Sequence, residues 1–417
     1  MRGAAVPAVR EGVEAVEAVE AVPTVAQRGA AVRAAAACGY AMVRCGVAAL
    51  AAVLLAGALT GCGSPVSGGT PADDLSLSEA AQEAAVGESS AESPDVAPAE
   101  ESTQEEAPAA AAASPSASQQ KEDGAAMAVT ENTTLTDLAS NPAFGGWGRA
   151  LLPWHGQRKD GATIGGESSL LPYHSNVQPA QATSALNRLI DDANAGEQVA
   201  YPVYDEAAIA ADPDKADAVL FYFRGDPSAP FAIVNPGGGF AYVGSLHESL
   251  PHAQWLSEQG INAFSLSYRE GSGQWAVEDL AQALTFIFEH ADELGLSTEG
   301  YSLWGSSAGA RMAAAIGSYG TAAFGGADLP RPAAVIMAYT GQSDYTADDP
   351  ATYAVVGDRD GIAPSSIMEQ RIRGLQRAGV PADIVVFPGL SHGFGTGEGT
   401  AAQGWMQGAL NFWLEHR

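Results

Sequence analysis

Hydrophobic positions change their rhythm along the chain. Between Gly46 and Thr60 they run almost unbroken, as GVAALAAVLLAGALT, and from Gly63 to about Val129 they are mostly alanine scattered among Ser, Glu, Pro and Gln. Beyond residue 130, short apolar, β-branched or aromatic runs bounded by Gly, Pro or Asp alternate with longer stretches of helical period. The short runs predict strands at 218–223, 231–234, 263–268, 301–304, 333–338, 353–356 and 382–387, the first two joined by a Gly225-Asp226-Pro227 turn. The longer stretches predict helices at about 248–259, 275–294, from about 307, 364–378 and 401–416. Strands alternating with helices imply an α/β domain over residues 130–417, with a mostly parallel sheet covered on both faces. Residues 130–198 are less regular and read as a segment packed beside the sheet or over part of a site, with its aromatics as packing residues.

Charge narrows the function classes. The chain of 417 residues carries 49 acidic and 20 basic side chains, a formal net charge of −29. With no segregated basic patch, such a chain repels phosphate, which argues against a nucleic-acid partner. The 3 cysteines are Cys38, Cys45 and Cys62. Everything after Cys62 must therefore do without a disulfide framework, a zinc–cysteine site or a thiol nucleophile.

The apolar run at 46–60 is shorter than the ~20 residues that span a bilayer comfortably and suits a secretory h-region. Leu59-Thr60-Gly61-Cys62 resembles the lipobox of bacterial lipoproteins, which implies a signal peptide at 42–61 and a lipid anchor on Cys62. That expectation places the protein in the cell envelope, anchored to the membrane and exposed outside the cytoplasm. Residues 1–41 include the low-complexity tract EGVEAVEAVEAV, while Met42-Val43-Arg44 makes an ordinary n-region, so a start at Met42 is expected. Residues 62–129 hold one basic side chain, Lys121, and too little apolar surface to offset ordering entropy, and read as a disordered acidic tether.

Gly305-Ser306-Ser307-Ala308-Gly309 matches G-x-S-x-G between the predicted strand 301–304 and a helix. A nucleophile elbow needs small residues there because the chain turns sharply and flanking side chains would meet backbone. Ser307 is then lifted above the carboxyl end of the sheet, at a helix N-terminus whose dipole favours developing negative charge. Of 7 histidines, His392, in the loop Ser391-His392-Gly393 after the last strand, stands where a general base in this chain order belongs. His290 and His416 fall at predicted helix ends, and His247 and His252 are wrongly spaced for an H-E-x-x-H zinc helix. Gly357-Asp358-Arg359-Asp360-Gly361 offers two orienting carboxylates, with Asp344 and Asp349 as more distant options; Asp358 could instead be a turn residue paired with Arg359. Asn235-Pro236-Gly237-Gly238-Gly239-Phe240 supplies a triple glycine whose amides can approach a substrate, and Gly238, Gly239 and Ala308 are the expected oxyanion donors. Phe240, Tyr242, Trp275 and Tyr339 fall near loops and serve equally well as core, rim or pocket aromatics.

Taken together, oxyanion glycines, serine, acid and histidine in this order make residues 218–417 resemble the α/β-hydrolase superfamily. Within it they resemble the esterase and lipase branch, acetyl-esterase and acetylxylan-esterase-like hydrolases above all. The resemblance implies an α/β-hydrolase fold, with Asp360 as the acid because the family's acid lies three residues after the glycine. It implies hydrolysis of carboxylic esters, short acyl groups or acetyl groups on carbohydrates, with no metal or organic cofactor. Two positions depart from the pattern: Pro236 stands where the HGGG motif has histidine, and Ala310 where many relatives have glycine. A serine peptidase on the same fold and a catalytically inactive surface binding lipoprotein are the competing readings.

Overall fold

The computed structural model describes residues 125–155 and 161–417. The expected signal peptide, Cys62 and nearly all of the tether lie outside the described residues. The strands are β1 (Ala200–Pro202), β2 (Val219–Phe223), β3 (Pro230–Asn235), β4 (Asn262–Ser267), β5 (Ser297–Ser306), β6 (Ala334–Ala338), β7 (Ala351–Gly357) and β8 (Ala382–Phe387). The α-helices are α1 (Leu135–Ala139), α2 (Pro179–Asn194), α3 (Glu206–Ala211), α4 (Ser249–Glu258), α5 (Gly273–Glu289), α6 (Ala291–Leu294), α7 (Ala308–Tyr319), α8 (Ser365–Ala378) and α9 (Trp405–Glu415). All seven predicted strands form, and β1 is an addition at the edge.

The strands make one 8-stranded sheet in the order β1-β2-β4-β3-β5-β6-β7-β8, antiparallel at β1–β2 and β2–β4 and parallel from there on. With the serine turn following β5, this is the α/β-hydrolase fold. The Gly225-Asp226-Pro227 turn does not close a hairpin, because β4 inserts between β2 and β3. Its donors explain why: the Gly225 amide goes to Asn262 Oδ1 at 3.0 Å and the Asp226 amide to the Gly260 carbonyl at 3.0 Å. The turn crosses the start of β4 so closely that a Cβ on Gly225 would lie 2.4 Å from the Ile261 carbonyl carbon.

Every residue of β2, β3, β4 and β6 is buried, as expected of strands covered on both faces. Crossover handedness assigns the covering helices. The chain runs from β3 through α4 to β4 in one direction along the sheet, then from β4 through α5 to β5 in the other. Right-handed connections put α4 and α5 on opposite faces, and α7, which continues toward β6, on the face of α5. The reversal leaves a crevice at the carboxyl ends of β3 and β5, where ligands bind in open α/β sheets.

The region expected to be irregular contains a 16-residue helix, α2, whose buried residues Ala182, Ala185, Leu186, Leu189 and Ile190 form one stripe. This stripe packs on α4. The preceding loop, residues 171–178, reaches across the carboxyl end of the sheet.

Candidate active site

The crevice between β3 and β5 is occupied by the serine turn. Ser307 has φ 50° and ψ −115°, a conformation a β-substituted residue adopts only when its surroundings enforce it. The enforcing contacts are backbone: a Cβ on Gly305 would lie 2.3 Å from the Gly309 oxygen, and one on Gly309 would lie 2.0 Å from the Asn235 oxygen. Both glycines of the motif are thus required by the packing of the first turn of α7 against β5 and β3. Ala310 is fully buried and fits where many relatives have glycine. Residues 301–306 and 308–310 are buried, while Ser307 itself is partly exposed at the helix N-terminus.

His392 and Asp360 meet this serine. His392 Nε2 lies 2.9 Å from Ser307 Oγ, and His392 Nδ1 lies 2.8 Å from Asp360 Oδ2. The other carboxylate oxygen of Asp360 accepts from the amides of Ile362 at 2.9 Å and Ala363 at 2.7 Å, which fixes the acid in place. Asp358 is exposed and accepts the Gly389 amide at 2.6 Å, a turn role with a different partner from the Arg359 expected. Asp344 accepts from Tyr319 at 2.6 Å, and Asp349 pairs with buried Arg371 at 2.7 Å. Only Asp360 among the four reaches His392. The chain of contacts can carry a proton from the serine hydroxyl to the imidazole and hold the resulting cation.

The triple glycine closes over the same point. Gly238 has φ 131° and Gly239 φ 63°, and a Cβ on Gly238 would lie 2.0 Å from the Tyr242 oxygen. Gly237 sits directly beside the serine, where an added Cβ would be 2.8 Å from Ser307 Cβ. Ala308 is the first residue of α7, so its amide has no intrahelical acceptor. Ala308 follows Ser307 directly, and Gly238 and Gly239, the other two expected oxyanion donors, continue the loop from the glycine packed on Ser307. Pro236 leaves its carbonyl to accept the Tyr268 hydroxyl at 2.8 Å.

The BD-FAE family model matches residues 224–329. That span covers the triple glycine and the serine turn and stops short of Asp360 and His392. An acetylxylan esterase of Xylanibacter ruminicola is 29% identical over 108 residues, 25% of this chain and 22% of that protein, so the chain spans about a fifth of that relative's length. Among solved structures, an acetyl ester-xyloside bifunctional hydrolase from Caldicellulosiruptor lactoaceticus is 19% identical, with 52% of this chain and 95% of that chain covered and a TM-score of 0.46. An esterase from Thermogutta terrifontis is 20% identical, with 48% and 89% covered and a TM-score of 0.41.

Behind the triple glycine lies a buried polar cluster that sequence reasoning missed. Glu248, wholly buried, accepts the Gly237 amide through Oε2 and the Tyr339 hydroxyl at 2.8 Å through Oε1. His174 Nε2 is in ion-pair contact with Oε1 at 2.9 Å, and its Nδ1 lies 2.8 Å from the Tyr242 hydroxyl. Burial alone would push the Glu248 carboxyl up; His174, His247 and the Gly237 amide outweigh that and hold it down to about 2. Burial also pushes the hydroxyls of Tyr242, Tyr268 and Tyr339 well above the ordinary phenol range. Ser175 donates through Oγ to the His392 carbonyl at 2.7 Å and through its amide to the Gly393 carbonyl at 2.9 Å. Segment 173–175 therefore touches both the glycine loop and the histidine loop.

The remaining histidines have other work. His247 donates to the Gly393 carbonyl at 3.1 Å, and burial holds its ring down to about 3. His252 packs edge-on against Trp405, likewise lowered by burial, to about 4. His155 lies against Ser267, Asp217 and Glu270. His290 and His416 donate to the carbonyls of Phe286 and Phe412 at the ends of α5 and α9. Phe240, Tyr242 and Tyr339 are core aromatics, and Trp275 is 45% exposed.

Proposed function

We propose that the protein is a serine hydrolase that cleaves carboxylic esters through an acyl-enzyme. The observation that carries this is the Ser307–His392–Asp360 relay at 2.9 and 2.8 Å beneath a glycine loop. Ser307 Oγ attacks the ester carbonyl as its proton passes to His392 Nε2, and the amides of Gly238, Gly239 and Ala308 receive the oxyanion. The bond to the leaving alcohol breaks as His392 returns the proton to it. Water then attacks the acyl-serine by the same route, releasing the carboxylic acid and restoring Ser307. A short acyl group, an acetyl ester of a carbohydrate first of all, is the proposed substrate; the partial match to an acetylxylan esterase supports it.

A fluorophosphonate probe and p-nitrophenyl acetate test the reading. Label on Ser307 with ester turnover, both lost in Ser307→Ala, is the expected result; a folded protein that neither labels nor turns over rejects it. Turnover of acetylated oligosaccharides, without peptidase activity, tests the substrate class. The sequence Leu59-Thr60-Gly61-Cys62 supports lipid anchoring in the cell envelope as a further part of the proposal. Incorporation of labelled fatty acid that is lost in Cys62→Ser is its measurement.

A further inference from the structure

We infer that the Glu248–His174 pair is the positioning unit of the oxyanion loop, coupling it to the loop that carries His392. The inference rests on the esterase reading and adds two residues that never touch substrate.

The geometry runs through one carboxylate. Oε2 takes the amide of Gly237, the glycine packed against Ser307 Cβ, so this amide faces inward. With the first glycine pinned, the left-handed backbone of Gly238 and Gly239 follows, and the Gly238 carbonyl is held by the amides of Ala241 at 3.0 Å and Tyr242 at 3.3 Å. Oε1 takes the hydroxyl of Tyr339, which itself accepts the Gly395 amide at 3.2 Å. The Tyr339 ring lies 5.2 Å from the His392 ring, edge to face. Glu248 thus joins the two loops that must hold their spacing while charge moves between them.

The ionised carboxylate offers both oxygens as acceptors, and burying it is costly unless a partner offsets its charge. His174 Nε2 lies 2.9 Å from Oε1, the position from which a ring proton offsets that charge. The titratable groups facing Glu248 are His174, Tyr242, Tyr268, Tyr339, His247 and His252. Of these, His174 is the ring in contact with Oε1, and its Nδ1 lies 2.8 Å from the Tyr242 hydroxyl.

The test compares wild type with Glu248→Gln and His174→Gln in p-nitrophenyl acetate hydrolysis, with thermal unfolding of each. A displaced oxyanion donor acts in the transition state, so kcat is expected to fall about 10- to 100-fold in Glu248→Gln while KM changes less than about 3-fold. His174→Gln removes the ring that holds the Glu248 carboxyl down, and burial then raises it. The acid limb of kcat/KM is expected to move up by about one pH unit or more in His174→Gln and not in Glu248→Gln. Either of two results overturns the inference: kcat of both variants within about 3-fold of wild type, or activity lost only in step with loss of cooperative unfolding and no shift of the acid limb. An inactive wild type would reject the esterase reading instead.

Discussion

At the scale of single residues the question is why one aspartate serves and its neighbour does not. Asp358 and Asp360 are two residues apart in one turn, and no periodicity separates them. What separates them is where the loop buries its amides: those of Ile362 and Ala363 converge on Asp360, leaving its second oxygen to His392, whereas Asp358 stays exposed and caps Gly389. Asp360→Asn is expected to lower kcat by about 10³ to 10⁴ with little change in KM, because the amide favours the wrong imidazole tautomer. Asp358→Asn keeps an acceptor for Gly389 and is expected to stay within about 3-fold of wild type. Steady-state kinetics on the two variants side by side decides the assignment. The serine and the glycine loop were legible because each needs a short local motif, and the histidine because of its place after the last strand. Glu248 and His174 were not: a carboxylate at the start of a helix is ordinary on dipole grounds, and nothing near His174 in the chain announces a partner on α4.

Among the elements, the sheet was the readable part and the segment before it was not. Strands with little exposure write themselves as apolar runs, which is why all seven predicted strands, antiparallel β2 included, are present. The order of β2, β4 and β3 could not be read so directly, since the donors of a turn that looks like a hairpin go to Asn262 and Gly260 instead. Helix α2 escaped notice because two of its five stripe residues are alanine and further alanines, Ala180 and Ala193, lie outside the stripe, so the contrast between faces is weak. Its leading loop matters to the site through Ser175, whose hydroxyl restrains the His392 carbonyl. Ser175→Ala removes one hydrogen bond, a loss of about 0.5–1.5 kcal/mol. Spent on histidine placement, this is expected to lower kcat/KM about 3- to 10-fold, with Tm lowered by only a few degrees. An unchanged kcat/KM alongside a lowered Tm would show that the bond stabilises the fold without aligning His392.

For the whole molecule, charge sets how stability responds to pH. Desolvation raises two partly buried carboxyls, Asp217 to about 6 and Glu270 to about 7, and one buried carboxyl, Glu167, to about 8. Glu167 is the extreme case, wholly buried with neither carboxylate oxygen hydrogen-bonded. A raised carboxyl binds its proton more tightly folded than unfolded, so its stabilising contribution is complete below the unfolded pKa near 4 and is lost as pH rises through the folded value. The loss therefore falls between about pH 4 and 8. The formal net charge of −29 acts in the same sense, since deprotonation adds to self-repulsion. Salt separates the two contributions: it screens repulsion between exposed charges and leaves the cost of ionising a desolvated group in place. The buried imidazoles of His155, His247 and His252, lowered by desolvation, act in the opposite sense below about pH 7, so Tm of the wild-type chain is expected to fall from pH 7 to pH 9 in low salt, and to keep part of that slope in about 0.5 M NaCl. Glu167→Gln keeps the shape and cannot ionise, so its high-salt slope should be visibly shallower, with the gain over wild type growing toward pH 8 and above. Equal high-salt slopes in the two proteins would mean that the carboxyl of Glu167 finds water or a partner on ionising.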